Sequence, residues 1–420
     1  MRNIFDQYSQ PENRVTHALM TALHQDRVLL DSFLRDMLKL KAPVAASKLS
    51  VLSQRSPTNS KQLSDLEASD ERKGIPDGWI YSEVAKWCIF IEVKVTAPFS
   101  PDQIKRHRRA AEGQEFQKIT GVVIAAIKLN FENGGTKILE WRNVYAWLCL
   151  HRKERPWAEH TAQYLEIIET QLLESGILKE GALTKFDGIP FSLETPYEYH
   201  NAKRILNLAC EELRKREQLE NSIGMVSDEL GRGKITGGKE NSVWDYLSLW
   251  PSSESKSFNN FPHLTLGIGS ENVSVMLTMP DKAQTQFRNA IKNIGLVGFK
   301  KVIENITSEL APLCLNKNSG VPWFSGYQRH GSSQYKTDIL DGKIEFDLRT
   351  VVGSGPIKKQ ELWLDTAYEC VVQKKGNFAF QIGVIFPYKS CHELKSEKAI
   401  DLIVQAWLGC KPLIELLRGN

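Results

Sequence analysis

IPDGWIYS, residues 75–82, is followed after Glu83-Val84-Ala85 by KWCIFIEVKV, residues 86–95. Both stretches are dense in β-branched and aromatic residues, and both read as short strands. Side chains alternate across a strand, so Ile89, Ile91, Val93 and Val95 share one face and Phe90, Glu92 and Lys94 share the other. The apolar set is expected to face a core. A strand this apolar then carries a carboxylate and an ammonium side by side, which is costly to bury unless the charges are paired or hold a metal.

The flanking sequence supplies a frame for these strands. Pro11 to His24 repeats Val15, Leu19, Ala22 and Leu23 at helical spacing, with Pro11 in a first turn and Ser9 as the expected cap. A second amphipathic helix is predicted over Arg27–Leu40 and a strand over Ser47–Gln54. The polar stretch at 56–74 reads as a loop. After Pro98 and Pro101 the pattern predicts a helix over Asp102–Gln117, a buried strand over Gly121–Ile127, a short strand over Lys137–Trp141, and helices over Val144–Leu150 and Ala158–Leu173. This order predicts an α/β domain with a mixed sheet flanked by helices.

Asp77 follows a proline at the end of its strand. If that strand pairs with the one carrying Glu92, two carboxylates and Lys94 meet at one sheet end. Phosphodiester hydrolysis uses such a set: carboxylate oxygens suit Mg²⁺, and a lysine stabilises charge that develops on phosphate oxygens.

Pro76-Asp77 and Glu92-Val93-Lys94, in this strand–loop–strand setting, resemble the PD-(D/E)xK nuclease superfamily, which has the restriction-endonuclease-like fold. The resemblance covers roughly residues 10–165. It implies that Asp77 and Glu92 hold Mg²⁺ or Mn²⁺, that the Val93 carbonyl completes the metal site, and that Lys94 is catalytic. It also implies a further carboxylate from the preceding helix, for which Glu12 is the match. Gln103 is the expected site-facing residue of the following helix. Lys105, Arg106, Arg108 and Arg109, in the run KRHRR behind it, are placed to meet the phosphate backbone of DNA. The plain alternatives are a first-turn charge stabilised by the helix dipole for Glu12, a first-turn helix residue for Gln103, and a solvated helix face for the basic run.

A chain of 420 residues exceeds one ordinary core, and its 41% hydrophobic and 25% charged content is that of a globular protein. The proline- and aromatic-rich text around Lys185–Tyr199 is taken as a boundary. That predicts a nuclease-like domain over residues 1–185 and a second mixed α/β or α+β domain over 186–420, whose role the sequence leaves open between recognition, sensing and dimerisation. In the second domain helices are predicted at Asn201–Gln218, Lys282–Ile291, Gly298–Leu310, Lys358–Val371 and Leu394–Leu417. Strands are predicted at HLTLGI, VSVMLTM, KIEFDLRTVV and FAFQIGVIF. Net charge is +4, which permits a phosphate-rich partner without demanding one.

Seven scattered cysteines with no Cys-x-x-Cys pair argue against a disulfide framework and a structural zinc site. The polar start and the lack of a long apolar run predict a cytoplasmic protein with no signal peptide and no membrane partner. Gly233–Lys239 nearly matches a Walker A loop, but Glu240 stands where the Mg²⁺-binding hydroxyl belongs, so a plain glycine loop and no ATPase are expected. His17 and His24 read as packing residues. Val321–Lys336 interleaves Trp323, Phe324, Tyr327, Arg329 and Tyr335 in a stretch that reads as a loop packed on the core, with base stacking as the alternative.

Taken together these readings predict a metal-dependent DNA endonuclease. Free-standing cleavage would harm its own cell, so regulation by a ligand or partner of the C-terminal domain, as in restriction or anti-phage defence, is expected. Cutting both strands suits a homodimer. The competing reading is a non-catalytic nucleic-acid-binding or regulatory protein that keeps the fold.

Overall fold

The computed structural model describes residues 5 and 8–419, apart from 56, 58–74, 130–134, 179–180, 233–240, 252–257, 315–319, 330–339, 353–358 and 374–377. The sequence-predicted loop at 56–74 therefore lies almost wholly outside the described residues, and so do Gly233–Lys239 and Tyr335. The chain is mixed α/β and divides into two compact units, Met1–Lys185 and Phe186–Asn420.

The first unit is built on a five-stranded mixed sheet in the order β1 (Ser50–Ser53), β2 (Gly78–Ser82), β3 (Trp87–Lys94), β4 (Lys118–Ala125) and β5 (Thr136–Glu140). β1, β2 and β3 are antiparallel, while β3, β4 and β5 run parallel. β3 is central, and all eight of its residues are buried. On one face Ile89, Ile91 and Val93 pack with Ile80, Val122 and Ile124. Over them lie α1 (Pro11–Gln25), α2 (Arg27–Ser32, continued by a π-helical turn Phe33–Met37), α4 (Trp141–His151) and α5 (Pro156–Glu174). On the other face Trp79, Tyr81, Cys88, Phe90 and Val123 meet Ile104, Ala111 and Phe116 from α3 (Pro101–Gly113) and its exit. The face that carries Glu92 and Lys94 is thus roofed by one helix.

Local chemistry explains the elements. Pro11, Pro101 and Pro156 stand in first helical turns, where a missing N–H costs nothing. Asp26 caps α2 by accepting from the N–H groups of Val28 and Leu29. Gly78 has no Cβ because Met20 Sδ stands 2.8 Å from where one would be. Glu169 is fully buried and accepts from the N–H groups of Ala182, Leu183 and Thr184 and from the Thr184 hydroxyl, which fastens the end of the unit to α5.

Several local readings shift. α1 is entered through Gln10, with no side-chain cap from Ser9. Trp141 begins α4 instead of ending a strand, because its ring is buried in the helix-covered core. Arg214 and Glu217 belong to separate helices, α6 (Tyr199–Arg214) and α7 (Glu217–Ile223).

The second unit has a six-stranded antiparallel sheet in the order β10 (Leu340–Asp347), β9 (Val321–Arg329), β11 (Phe378–Pro387), β8 (Asn272–Met279), β7 (His263–Gly269) and β6 (Ser242–Ser248). One apolar core joins its strands to α6, α7, α8 (Thr285–Cys314), α9 (Glu361–Val372), α10 (Lys398–Gly409) and α11 (Lys411–Arg418). α8 is two helices meeting at Gly295, whose φ of 64° no continuous helix contains. Residues 348–350 leave the strand for a 3-10 turn held by Asp347. The segment read as a loop at Val321 is strand β9. Phe324 is buried in a stack with Phe346 and Phe380, while Trp323 and Tyr327, its neighbours by alternation, lie half-buried on the opposite face.

Candidate active site

Asp77 sits immediately before β2. Gly78 pairs with Ile91, so the next step of the antiparallel register sets Asp77 beside Glu92. Its Oδ2 accepts a 2.7 Å hydrogen bond from the Val93 N–H, which locks the carboxylate against β3. Glu92 projects from β3 under α3. Its Oε1 lies 2.8 Å from Lys94 Nζ, and its Oε2 lies 2.8 Å from His107 Nε2. Glu92, Lys94 and His107 are all buried, His107 at 1% exposure. Alternation explains the Glu92–Lys94 pair, and helical spacing explains His107: Ile104, His107 and Ala111 form the buried stripe of α3.

The two carboxylates titrate in opposite directions. Burial and the nearby charge of Glu92 push Asp77 up to about 7, against the Val93 hydrogen bond and the Lys94 charge. Burial also opposes ionisation of Glu92, but the hydrogen bonds from His107 and Lys94 outweigh it and hold Glu92 below the usual carboxylate range. The site therefore keeps one firm anion beside one carboxyl that resists ionising.

No protein-family model and no curated protein matches this chain.

Glu12 stands elsewhere than the sequence reading placed it. From the first turn of α1 its Oε1 accepts from the N–H groups of Thr96 (2.7 Å), Ala97 (2.9 Å) and Val95 (3.3 Å) and from the Thr96 hydroxyl (2.9 Å). Burial disfavours its charge, but these bonds prevail and lower its pKa. Glu12 fastens the chain as it leaves β3. Among the described residues no three His, Cys, Asp or Glu side chains gather as metal ligands, so a three-carboxylate set of Glu12, Asp77 and Glu92 is not formed.

Gln103 is half-buried in the first turn of α3 and is not hydrogen-bonded to Asp77, Glu92 or Lys94. His107, one turn later, makes the contact with Glu92, because the buried stripe of α3 runs through 104, 107 and 111. Lys105, Arg106 and Arg109 are exposed on the outer side of α3, with Lys105 paired to Asp102 at 3.1 Å, whereas Arg108 is half-buried. His107 hid inside a basic run. The signal that finds it is its 3.6-residue phase with Ile104 and Ala111. Gln54 also went unread. Its N–H donates to the Asp77 carbonyl at 2.9 Å, and its φ is 52°.

His24 is exposed at the end of α1 and does not pack as expected. The His17 ring meets Phe5 and Tyr8 at 6.2 and 5.5 Å. All seven cysteines are free, and five are buried. No helix of the described residues is long and apolar enough to cross a membrane.

Proposed function

We propose that the Met1–Lys185 unit is a metal-dependent nuclease of the PD-(D/E)xK type, with the restriction-endonuclease-like arrangement of a mixed sheet between helices, and that it hydrolyses phosphodiester bonds in DNA. The observation that carries this reading is the Asp77 carboxylate locked onto the Val93 N–H beside the buried Glu92–Lys94 pair. Burial first, and then the charge of Glu92, make Asp77 resist ionising, a cost that a bound cation would relieve.

The hard carboxylate oxygens of Asp77 and Glu92 suit Mg²⁺ or Mn²⁺, and the Val93 carbonyl and water would complete the shell. Mg²⁺ commonly keeps several waters and takes only one or two carboxylates. Bound there, the ion would supply charge neutralisation, polarisation of a phosphate and acidification of a water. The chain's own groups do the rest. The Val93 N–H fixes the direction of Asp77. His107 and Lys94 keep Glu92 ionised and aimed. Lys94, with its ammonium at the same sheet end, offers positive charge to an oxygen of the phosphate under attack. The outer side of α3 presents Lys105, Arg106 and Arg109 to the nucleic-acid backbone.

The test is cleavage of plasmid, linear duplex and single-stranded DNA by the pure full-length chain with Mg²⁺ or Mn²⁺, beside Lys94→Ala. Metal-dependent cutting by wild type, lost at least a hundredfold in Lys94→Ala, supports the reading; the scale is that of removing one charge-stabilising group. Equal cutting by both refutes the site. A folded wild type that binds DNA and never cuts it supports a non-catalytic binding protein instead.

A further inference from the structure

Asp77, Glu92 and Glu12 all engage the last residues of β3 or the turn that follows it, yet their oxygens are not equally available to a cation. Asp77 gives Oδ2 to the Val93 N–H at 2.7 Å. Glu92 meets the Lys94 ammonium through Oε1 and His107 Nε2 through Oε2, each at 2.8 Å. A carboxylate has about four lone-pair directions, so Glu92 keeps one on each oxygen and Asp77 keeps three.

Glu12 is placed differently. It belongs to the first turn of α1, which lies over the Ile89–Ile91–Val93 face of the sheet, whereas Glu92 projects under α3 on the other face. Its Oε1 collects the N–H groups of Thr96 at 2.7 Å, Ala97 at 2.9 Å and Val95 at 3.3 Å, and the Thr96 hydroxyl at 2.9 Å. Four donors on one oxygen, which has two lone pairs, fix the carboxylate against the turn. With Glu12 held there, the three carboxylates form no common ligand group: among the described residues no three His, Cys, Asp or Glu side chains gather to hold an ion. A pair of ions about 3.5–4 Å apart needs carboxylates to bridge and flank it, and two carboxylates, one of them already tied to an ammonium, do not supply that.

We infer that this centre takes a single divalent cation, on Asp77, Glu92 and the Val93 carbonyl, and that Glu12 is a positioning residue that touches no ion. Its four bonds fasten the three residues directly after Lys94, so Glu12 acts through that turn on where the ammonium is presented. The positive charge that a second ion would bring to the phosphate comes from Lys94 instead. The inference rests on the nuclease reading of the site, and counting ions separates the two.

The full-length chain, free of nucleic acid, is titrated with Mn²⁺ and the bound ion counted from the loss of its free EPR signal, as wild type, Glu12→Gln, Glu12→Ala and Asp77→Asn. One ion per chain is expected in wild type and both Glu12 variants, and none in Asp77→Asn at the same concentrations. Cleavage rate against Mg²⁺ concentration is expected to be hyperbolic. At saturating Mn²⁺, Glu12→Ala is expected to lower kcat about tenfold with KM and the ion count held, and Glu12→Gln, which keeps an acceptor for the turn, to recover most of it. Two ions per chain, a spin-coupled signal from paired Mn²⁺, a sigmoidal Mg²⁺ dependence, or a tenfold loss of Mn²⁺ affinity in Glu12→Gln overturns the single-ion centre and leaves the nuclease reading standing. Equal kcat in wild type and a folded Glu12→Ala overturns the positioning role, and should Glu12→Ala not fold, a KM change without a kcat change in Glu12→Gln does the same. A folded wild type that binds no Mn²⁺ overturns the nuclease reading and the ion count together.

Discussion

Replacing Asp77 with Asn should stabilise the metal-free protein, and the gain should depend on pH in a defined way. Asp77 is raised from 3.8 to about 7 by burial and by the Glu92 charge. Below about pH 4 the carboxyl is protonated in both folded and unfolded chains, so it contributes no difference. Between pH 4 and 7 the unfolded chain loses this proton while the folded chain holds it, so wild-type stability falls as pH rises. Above pH 7 the loss is complete and constant. At about 1.4 kcal/mol per tenfold change in proton affinity, the ceiling is about 4 kcal/mol. The carboxylate is only partly shielded from solvent, which brings the expectation to about 2–4 kcal/mol. Asparagine is isosteric, keeps an oxygen to accept from the Val93 N–H, and carries no charge. In EDTA, the Asp77→Asn Tm should equal wild type at pH 4 and exceed it at pH 8, at about 2–4 °C per kcal/mol for a unit of this size. Groups away from the site cancel in the difference, and Glu92, whose charge acts on Asp77, is relieved of that repulsion in the variant. Added Mg²⁺ should raise the wild-type Tm at pH 8 and leave the variant unmoved. A variant less stable than wild type at pH 8 in EDTA, or a difference independent of pH, would refute the electrostatic account of the site.

Three further outcomes follow from the hydrogen bonds. His107→Ala leaves the Glu92–Lys94 pair buried without its third member, and should cost about 2–4 kcal/mol and most of the cleavage activity, while His107→Gln retains more of both; chemical denaturation and cleavage rates measured together check this. Glu12→Gln keeps an acceptor for Thr96 and Ala97 and should leave Mn²⁺ affinity within twofold, whereas a tenfold loss would make Glu12 a metal ligand after all; Glu12→Ala should cost about 1–3 kcal/mol. Glu169→Ala strands the buried N–H groups at 182–184 and should destabilise the first unit by about 3 kcal/mol without changing any site residue, as unfolding in urea would show.

Much of the first unit was legible because its signals are local. The alternation in CIFIEVKV assigned Ile89, Ile91 and Val93 to one face and Glu92 and Lys94 to the other, and both assignments describe the observed strand. Pro11 marked a helix start because a first turn has N–H groups to spare; Pro101 and Pro156 stand in first turns for the same reason, although the sequence reading began those helices at Asp102 and Ala158. The second unit was harder to read. β9 looked like a loop because Pro322, Gly326 and two polar residues interrupt it, and β6 was not read at all because it follows a glycine-rich stretch. Both are strands because neighbouring strands supply partners for their backbones.

The sequence by itself determined that Glu92 and Lys94 leave β3 on the same side, because a period of two follows from the chain's own stereochemistry. Only the tertiary structure decided what meets them there. α3 roofs that face and brings His107 to Glu92, the register carries Asp77 to the Val93 N–H, and Glu12 closes on the turn at 95–97 instead of joining the carboxylates. Those partners lie from 15 to 85 residues apart in the chain. Periodicity tells a side chain which way to point, but its partner is chosen by how separate elements dock, and no local pattern carries that information.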